Sequence, residues 1–180
     1  LCCHPAIDPE AQIALTLRLV GGLTTREIAA AFVVPEATLA QRIVRAKRKI
    51  RDAGIPMSVP NDLDERLDSV LSVLYLVFNE GYASHAGTEH LRLDLTTEAI
   101  RLTEVLVELV PDSTEALGLL ALELFHHARS ASRVDRRGDL VLLEDQDRTT
   151  WDLATIRRAN RIFGEAMAMM ESLASKLPSG

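Results

Sequence analysis

The sequence predicts an all-α fold in which a three-helix helix-turn-helix domain is followed by a helical bundle. Apolar residues recur at spacings of three and four through most of the chain, which is the period of a helix packed on one side. Proline, glycine and capping residues divide these stretches into helices of ordinary length. No alternating apolar and polar pattern long enough for a useful strand is present. The 180 residues, of which 47% are hydrophobic, can bury one or two modest cores.

The first predicted helix begins after Asp8, with Pro9 in its first position, and ends at Gly21-Gly22. Its predicted buried face is formed by Ala11, Leu15, Leu19 and Val20. Together with the next two helices it completes a three-helix unit.

The second predicted helix begins at a capping box formed by Thr24 and Glu27. It is short, and its inner face carries Ile28, Ala29 and Phe32. The helical pattern is interrupted after Phe32, and Pro35 marks the start of the next helix. Proline cannot continue a helix but suits the first turn of a new one.

The third predicted helix runs from about Glu36 to about Ala53 and is basic on its outer side. Its apolar stripe consists of Leu39, Ile43, Ala46 and Ile50. A neighbouring stripe consists of Thr38, Arg42, Arg45 and Lys49, while Gln41 and Arg48 lie opposite the core. A helix that is buried on one side and cationic on the other suits a DNA major groove. The alternative is an ordinary solvated helix face, since arginine and lysine are good helix formers.

The stretch DPEAQIALTLRLVGGLTTREIAAAFVVPEATLAQRIVRAKRKIR resembles region 4 of a sigma-70-type, extracytoplasmic-function RNA polymerase sigma factor. The resemblance implies recognition of the upstream (minus-thirty-five) promoter element and docking on the flap of the polymerase β subunit. It assigns contacts with bases and phosphates to Thr38, Gln41, Arg42 and Arg45, and contacts with the phosphate backbone to Thr25 and Arg26. Arg48 and Lys49 extend the same predicted DNA-binding surface.

Charge is distributed unevenly along the chain. Residues 1–53 carry a net charge of +3 and residues 54–180 a net charge of −9. Because DNA binding needs local positive charge, only the first part is a plausible nucleic-acid surface, and the acidic part is expected to bind protein, such as a regulatory partner. No membrane span or secretory signal is apparent, and the adjacent Cys2 and Cys3 cannot form a disulfide framework. We therefore expect a cytoplasmic protein, and the absence of an initiator methionine predicts a fragment of a longer chain.

A proline-containing linker is predicted at residues 55–60, between a DNA-binding domain at 1–54 and an acidic all-α extension at 61–180. The extension begins with a helix from about Asp62 to Glu80, which Gly81 caps, and a second helix that starts between Thr88 and Thr96 and ends at Pro111. An Asp112–Glu115 capping box starts the third helix, and the fourth runs from about Leu153 to Ala174. The predicted inner face of the first of these helices consists of Leu63, Leu67, Val70, Leu71, Leu74, Val77 and Phe78, and that of the second consists of Leu95, Ala99, Leu102, Leu106 and Leu109. The third helix is predicted to bury Leu117, Leu120, Ala121, Leu124 and Ala128. The fourth is predicted to bury Ile156, Phe163, Met167 and Met170.

One irregular stretch separates the last two predicted helices. Residues 135–139 form a turn, and the apolar run at 140–143 is either a strand crossing a helical face or half of a small hairpin. The pattern leaves both alternatives open.

No metal, cofactor or catalytic site is expected. Cys2-Cys3-His4 lacks the ligand spacing of a zinc site, and the adjacent His126 and His127 point about 100° apart on a helix. Residues 144–147 lack the spacing of a calcium loop and are better explained as capping residues. No nucleophile and base are found at a readable spacing, so an enzyme is not predicted.

The C-terminal stretches SVLYLVFNEGYAS, TTEAIRLTEVLVELVPD, EALGLLALELFHHAR and LVLLEDQDRTTWD resemble the C-terminal extension of a sigma-factor subgroup. There the extension continues into tetratricopeptide-like helix pairs. The leading interpretation is a sigma factor fragment in which the extension is regulatory or contacts polymerase. The alternative is a dimeric helix-turn-helix regulator with an effector-sensing domain, which predicts palindromic sites and a self-complementary interface.

Overall fold

The computed structural model describes residues 2–4, 6–54, 63–82, 89–137 and 139–176. Within these residues the fold is all-α, as predicted, and no β-strand forms. Two short 3-10 helices, Ser130–Ser132 and Arg148–Thr150, precede the last α-helix. The α-helices are α1 (Pro9–Leu19), α2 (Thr25–Ala31), α3 (Glu36–Asp52), α4 (Leu63–Tyr82), α5 (Glu89–Leu109), α6 (Thr114–His127) and α7 (Leu153–Ala174).

The chain divides into two compact units. The first contains Leu1–Ser84 and Thr88–Ala99, and the second contains His85–Gly87 and Ile100–Gly180. The border between the units therefore falls inside α5. The predicted linker at 55–60 lies outside the described residues, so the domain boundary there stays a prediction.

Helix α1 packs against both helices of the helix-turn-helix. Asp8 caps it as predicted, accepting a hydrogen bond from the Glu10 backbone N–H at 3.1 Å. Every residue from Ala11 to Leu17 is buried, because α1 contacts α2, α3 and α4. The prediction that Leu19 and Val20 belong to the buried face was wrong: the helix ends at Leu19, and both side chains are exposed.

The pair α2 and α3 confirms the predicted helix-turn-helix. Ile28 and Ala29 are buried on α2, and residues 32–35 separate it from α3. Val33 adopts a φ of +52° in this turn, a left-handed conformation that β-branched residues rarely adopt. Pro35 is the N-cap of α3 rather than a residue of its first turn.

Helix α4 extends through the glycine that was predicted to cap it. The prediction for Gly81 was wrong, since the helix continues to Tyr82. The Tyr82 ring stacks on Phe78 one turn earlier, with ring centroids 5.6 Å apart, and this contact stabilises the last turn. Val77 and Phe78 are fully buried, as their helical spacing predicts.

The start of α6 lies one residue later than predicted. Ser113, not Asp112, is the N-cap, and its hydroxyl accepts a hydrogen bond from the Ala116 N–H at 3.1 Å. Because the helix begins at Thr114, Glu115 occupies its second position and receives the Ser113 hydroxyl hydrogen at 3.1 Å. The inner face of α6 is buried as predicted, whereas Leu109 at the end of α5 is exposed, contrary to prediction.

Helix α7 has the predicted bounds but a different buried face. Phe163, Met167 and Met170 are exposed and Ile156 is only half-buried, so this part of the prediction was wrong. The buried residues are instead Ala159, Ile162 and Ala166, and α7 packs against α6. Small side chains at this spacing let two helices approach closely, and the larger side chains are left on the outer faces.

The stretch between α6 and α7 forms a small hairpin-like turn. Val134 and Leu140 make a single antiparallel bridge, and the Val141 N–H donates to the Arg133 carbonyl at 2.9 Å. This arrangement matches the hairpin alternative. The Trp151 indole N–H donates to the Ser132 hydroxyl at 2.9 Å and ties the end of the stretch to its beginning.

One carboxylic acid is buried in the second unit. Glu123 on α6 is 0% exposed, and neither of its side-chain oxygens has a hydrogen-bond partner among the described residues. Burial raises the pKa of Glu123 to about 8. The Thr103 hydroxyl, which lies close to the carboxyl group but does not form a well-aligned hydrogen bond with it, lowers the pKa, and the charge of Glu104 raises it. Glu123 is therefore mostly protonated at neutral pH.

Candidate nucleic-acid interface

Helix α3 presents one narrow face to the protein and the rest to solvent. Leu39, Ile43 and Ala46 are buried against α1 and α2. Six basic and two acidic residues give the helix a net charge of +4. A helix of this kind offers the positive charge that duplex DNA attracts.

The side chains predicted to contact DNA all lie on the surface of the first unit. Six are exposed, and Thr25 and Arg42 are half-buried. The exposed six are Arg26, Thr38, Gln41, Arg45, Arg48 and Lys49.

An open groove of about 400 Å³ runs between α3 and the beginning of α1. It brings together five of the eight predicted residues, which are Thr38, Gln41, Arg42, Arg45 and Lys49. Arg48 does not line this groove, and neither do Thr25 and Arg26, which belong to α2. The surface is therefore a groove along α3 with a separate pair of residues at the start of α2.

The capping box fixes the start of α2 and hence the position of Thr25 and Arg26. The Thr24 N–H donates to the Glu27 carboxylate at 2.6 Å, and the Glu27 N–H donates to the Thr24 hydroxyl at 3.2 Å. The hydrogen bonds from Thr24 lower the pKa of Glu27, so the carboxylate stays charged in the capped helix.

Two acidic residues at the start of α1 also line the groove, and neither was predicted to be part of the interface. Asp8 and Glu10 face the cationic residues of α3, and Glu10 forms an ion pair with Arg42 at 2.6 Å. This contact joins residues far apart in the sequence, so no local spacing could have indicated it.

Val44 is an exposed apolar residue on α3 that does not line the groove and was not predicted to contact DNA. Its helical position lies on the solvent side, about 40° from that of Arg48 and on the flank away from the groove. An apolar side chain there can contact the methyl group of a thymine. The signal was available in the helical pattern, since Val44 falls outside the apolar stripe.

Among the residues that the structure describes, no three histidine, cysteine, aspartate or glutamate side chains are placed to hold a metal ion. Arg129 donates to His126 Nδ1 at 2.8 Å, and Asp147 accepts from the Thr149 N–H at 2.9 Å as a helix cap. Burial raises the pKa of Cys2 and Cys3, which lowers the fraction present as reactive thiolate. No described helix is long and apolar enough to cross a bilayer.

Comparison with known proteins divides the chain in two. Residues 1–50 match region 4 of the sigma-70 family, and residues 66–167 match DUF6596, a family of unknown function. An uncharacterized protein from Rhizobium meliloti (strain 1021) is 47% identical over 169 residues. That alignment covers 93% of this chain but 40% of the relative, so the chain spans about two-fifths of the relative's length. No solved structure matches the chain significantly.

Proposed function

The chain belongs to DUF6596, a family of unknown function, and a sigma-70 region 4 domain precedes the segment that matches this family. We propose that the chain binds promoter DNA through this region 4 domain. In this proposal the chain is part of a sigma factor, and α3 is the helix that enters the major groove of the upstream, minus-thirty-five promoter element. Its action is recognition without a catalytic step.

The groove along α3 is the observation that carries the proposal. It combines three cationic side chains, Arg42, Arg45 and Lys49, with the hydrogen-bonding side chains of Thr38 and Gln41. Arginine and lysine position a protein on phosphates, whereas arginine, glutamine and threonine can also read base edges.

We extend the proposal to the parts of the chain outside α3. Thr25 and Arg26 contact the phosphate backbone, and Arg48 and Lys49 add positive charge beside the duplex. The sigma factor is of the extracytoplasmic-function type and docks on the β-subunit flap of core RNA polymerase in the cytoplasm. This finer assignment is supported by the resemblance of residues 8–51 to that group.

The acidic extension at 61–180 is proposed to contact polymerase or a regulatory protein rather than DNA. Residues 54–180 carry a net charge of −9, which repels phosphates. The resemblance of its helices to a sigma-factor subgroup supports a role in transcription initiation, with tetratricopeptide-like helix pairs after it in the intact protein. The boundary proposed between the two functions is the linker at 55–60.

The test is DNA binding by the full chain and by the Arg42→Ala variant. The chain is used to select duplexes from a randomised library, and affinity for the selected duplex is measured by fluorescence anisotropy at several salt concentrations. Since a good arginine–base contact contributes about 1–3 kcal/mol, Arg42→Ala should weaken binding by about 5- to 150-fold.

The matched control is Arg51→Ala, which removes the same charge from the C-terminal end of α3. Arg51 does not line the groove, and it pairs with Asp52 at 3.3 Å. Its loss should weaken binding much less. A wild-type chain that selects no duplex contradicts the proposal, and so does equal binding by wild type and Arg42→Ala. Selection of a palindrome by a dimeric chain supports the alternative, a dimeric regulator.

A further inference from the structure

We infer that Glu10 is a specificity-determining residue that holds Arg42 in position to read a guanine base. The inference rests on the proposed function, because it assigns the role of one acidic residue within the same DNA-binding groove. It goes beyond that function in naming the base class and in placing a carboxylate in the recognition surface.

The ion pair between the two residues lies at the edge of the groove. Glu10 Oε2 is 2.6 Å from Arg42 Nη2, and the two side chains are 67% and 31% exposed. Both residues also line a second, mainly apolar cavity of about 230 Å³, whose wall includes Ile13, Phe32 and Val34. The pair therefore forms the ridge between an apolar cavity and the polar groove.

Both partners of the ion pair are attached to rigid elements. Glu10 lies in the first turn of α1, whose position is fixed by the Asp8 cap. Arg42 is followed by Ile43, which is buried in the interface that α3 makes with its neighbours. A side chain held between two packed helices has fewer conformations to lose when it binds a ligand.

The geometry leaves enough donors on Arg42 for a base. An arginine guanidinium has five N–H groups, and a single carboxylate oxygen at Nη2 needs only one of them. Two further N–H groups can donate to guanine O6 and N7, which is the commonest specific contact of arginine with DNA.

Charge explains why the paired Arg42 favours a base over a phosphate. Glu10 neutralises the charge of Arg42, and its own carboxylate repels phosphate oxygens. The guanine edge presents uncharged acceptors, so it attracts the guanidinium without repelling the carboxylate as strongly. Without Glu10, Arg42 would be an unrestrained cation that binds phosphates of any sequence.

The test compares wild type with Glu10→Gln, which keeps the size of the side chain and removes its charge. Affinities are measured for the selected duplex and for a scrambled duplex of the same composition. The ratio of the two affinities should fall about three- to tenfold in Glu10→Gln, because nonspecific binding strengthens while the guanine contact weakens. Asp52→Asn is the matched control, since it removes one negative charge from the end of α3, outside the groove, and should leave the ratio unchanged.

A second measurement identifies the base. Each guanine of the selected duplex is replaced in turn by 7-deazaguanine, which lacks the N7 acceptor. At one position the replacement should weaken wild type more than it weakens Glu10→Gln, because the variant has already lost part of the guanine contact.

The outcomes separate this inference from the proposed function. If wild type selects no duplex, both fail. If wild type selects a duplex but Glu10→Gln keeps the affinity ratio, or raises both affinities equally, the proposed function stands and Glu10 only weakens overall DNA attraction. If no 7-deazaguanine position weakens wild type more than Glu10→Gln, Glu10 does not hold Arg42 on a guanine N7 and the inference is overturned.

Discussion

Each of the two units contains an energetically unfavourable feature, and the two features differ in kind. In the helix-turn-helix unit it is a backbone conformation: Val33 has a φ of +52° in the turn before α3, and its side chain is 80% exposed. In the second unit it is a buried acidic side chain, Glu123, whose oxygens lack hydrogen-bond partners among the described residues.

The comparison shows that these two features respond to different variables. Backbone strain at an exposed residue depends on the shape of its side chain and does not change with pH. The energy of a buried carboxylic acid depends on whether it is protonated. The stability of the second unit should therefore depend on pH through Glu123, and the strain at Val33 should not.

The largest expected effect is the loss of pH dependence in Glu123→Gln. The folded pKa of Glu123, about 8, lies above the ordinary value of 4.5, so the folded state holds a proton that the unfolded state releases. The stabilisation is complete below about pH 4.5 and is lost as pH rises towards 8, with a slope of at most about 1.4 kcal/mol per pH unit. Glutamine does not titrate, so the variant should lack this slope.

The pH dependence of stability is measured by tryptophan fluorescence during urea denaturation between pH 5.5 and 8.5. The signal reports on the second unit, which contains both Glu123 and the single tryptophan, Trp151. The control is Glu108→Gln, an exposed residue on α5, which should keep the wild-type slope. Equal slopes in wild type and Glu123→Gln would show that Glu123 is charged in the folded protein.

The buried face of α3, in the first unit, could be predicted from the sequence, whereas that of α7, in the second unit, could not. On α3 the stripe of Leu39, Ile43 and Ala46 was predicted correctly, because most other faces of the helix carry charged residues and only one register can be buried. On α7 apolar residues occupy two faces, and the larger ones, such as Phe163, were predicted to be inside. The choice between the two faces is made by the fit against α6, which a single helical pattern does not contain.

The same physical reason limits what could be predicted of the candidate interface. The exposed positions of Arg45 and Lys49 follow from the helical register of α3 alone. The pairing of Arg42 with Glu10 requires the packing of α1 on α3, which brings residues far apart in sequence into contact. Likewise, the left-handed conformation of Val33 is imposed by the turn, because a valine gives no sequence signal for it.

An intermediate effect is expected from Val33→Gly. Glycine adopts a positive φ without steric strain, and relief of about 1–2 kcal/mol exceeds the roughly 0.5–1 kcal/mol by which glycine stabilises the unfolded chain. The variant should therefore be more stable than wild type by about 1 kcal/mol at every pH. Urea denaturation followed by circular dichroism measures this.

Val33→Ala is the control for the Val33→Gly result. Alanine removes the branched side chain but keeps Cβ, so its gain should be smaller than that of glycine. A loss of stability in Val33→Gly would mean that the turn does not strain the valine. A gain that varies with pH would break the contrast with Glu123.

The smallest expected effect connects a surface ion pair with the buried acid. Glu104 on α5 pairs with Arg158 on α7 at 2.6 Å, both side chains are partly exposed, and such a pair contributes only about 0.5 kcal/mol. The charge of Glu104 also raises the pKa of Glu123, so Glu104→Gln removes a stabilising pair and a destabilising repulsion together. The variant should be less stable than wild type by about 0.5 kcal/mol at pH 5.5, where Glu123 is protonated, and this deficit should shrink at pH 8.5.

Arg158→Gln is the control, because it removes the same pair but leaves the Glu104 charge uncompensated, so its loss of stability should not shrink at pH 8.5. If Trp151 fluorescence gives equal deficits for Glu104→Gln at both pH values, the charge of Glu104 does not reach Glu123, and burial alone accounts for the raised pKa.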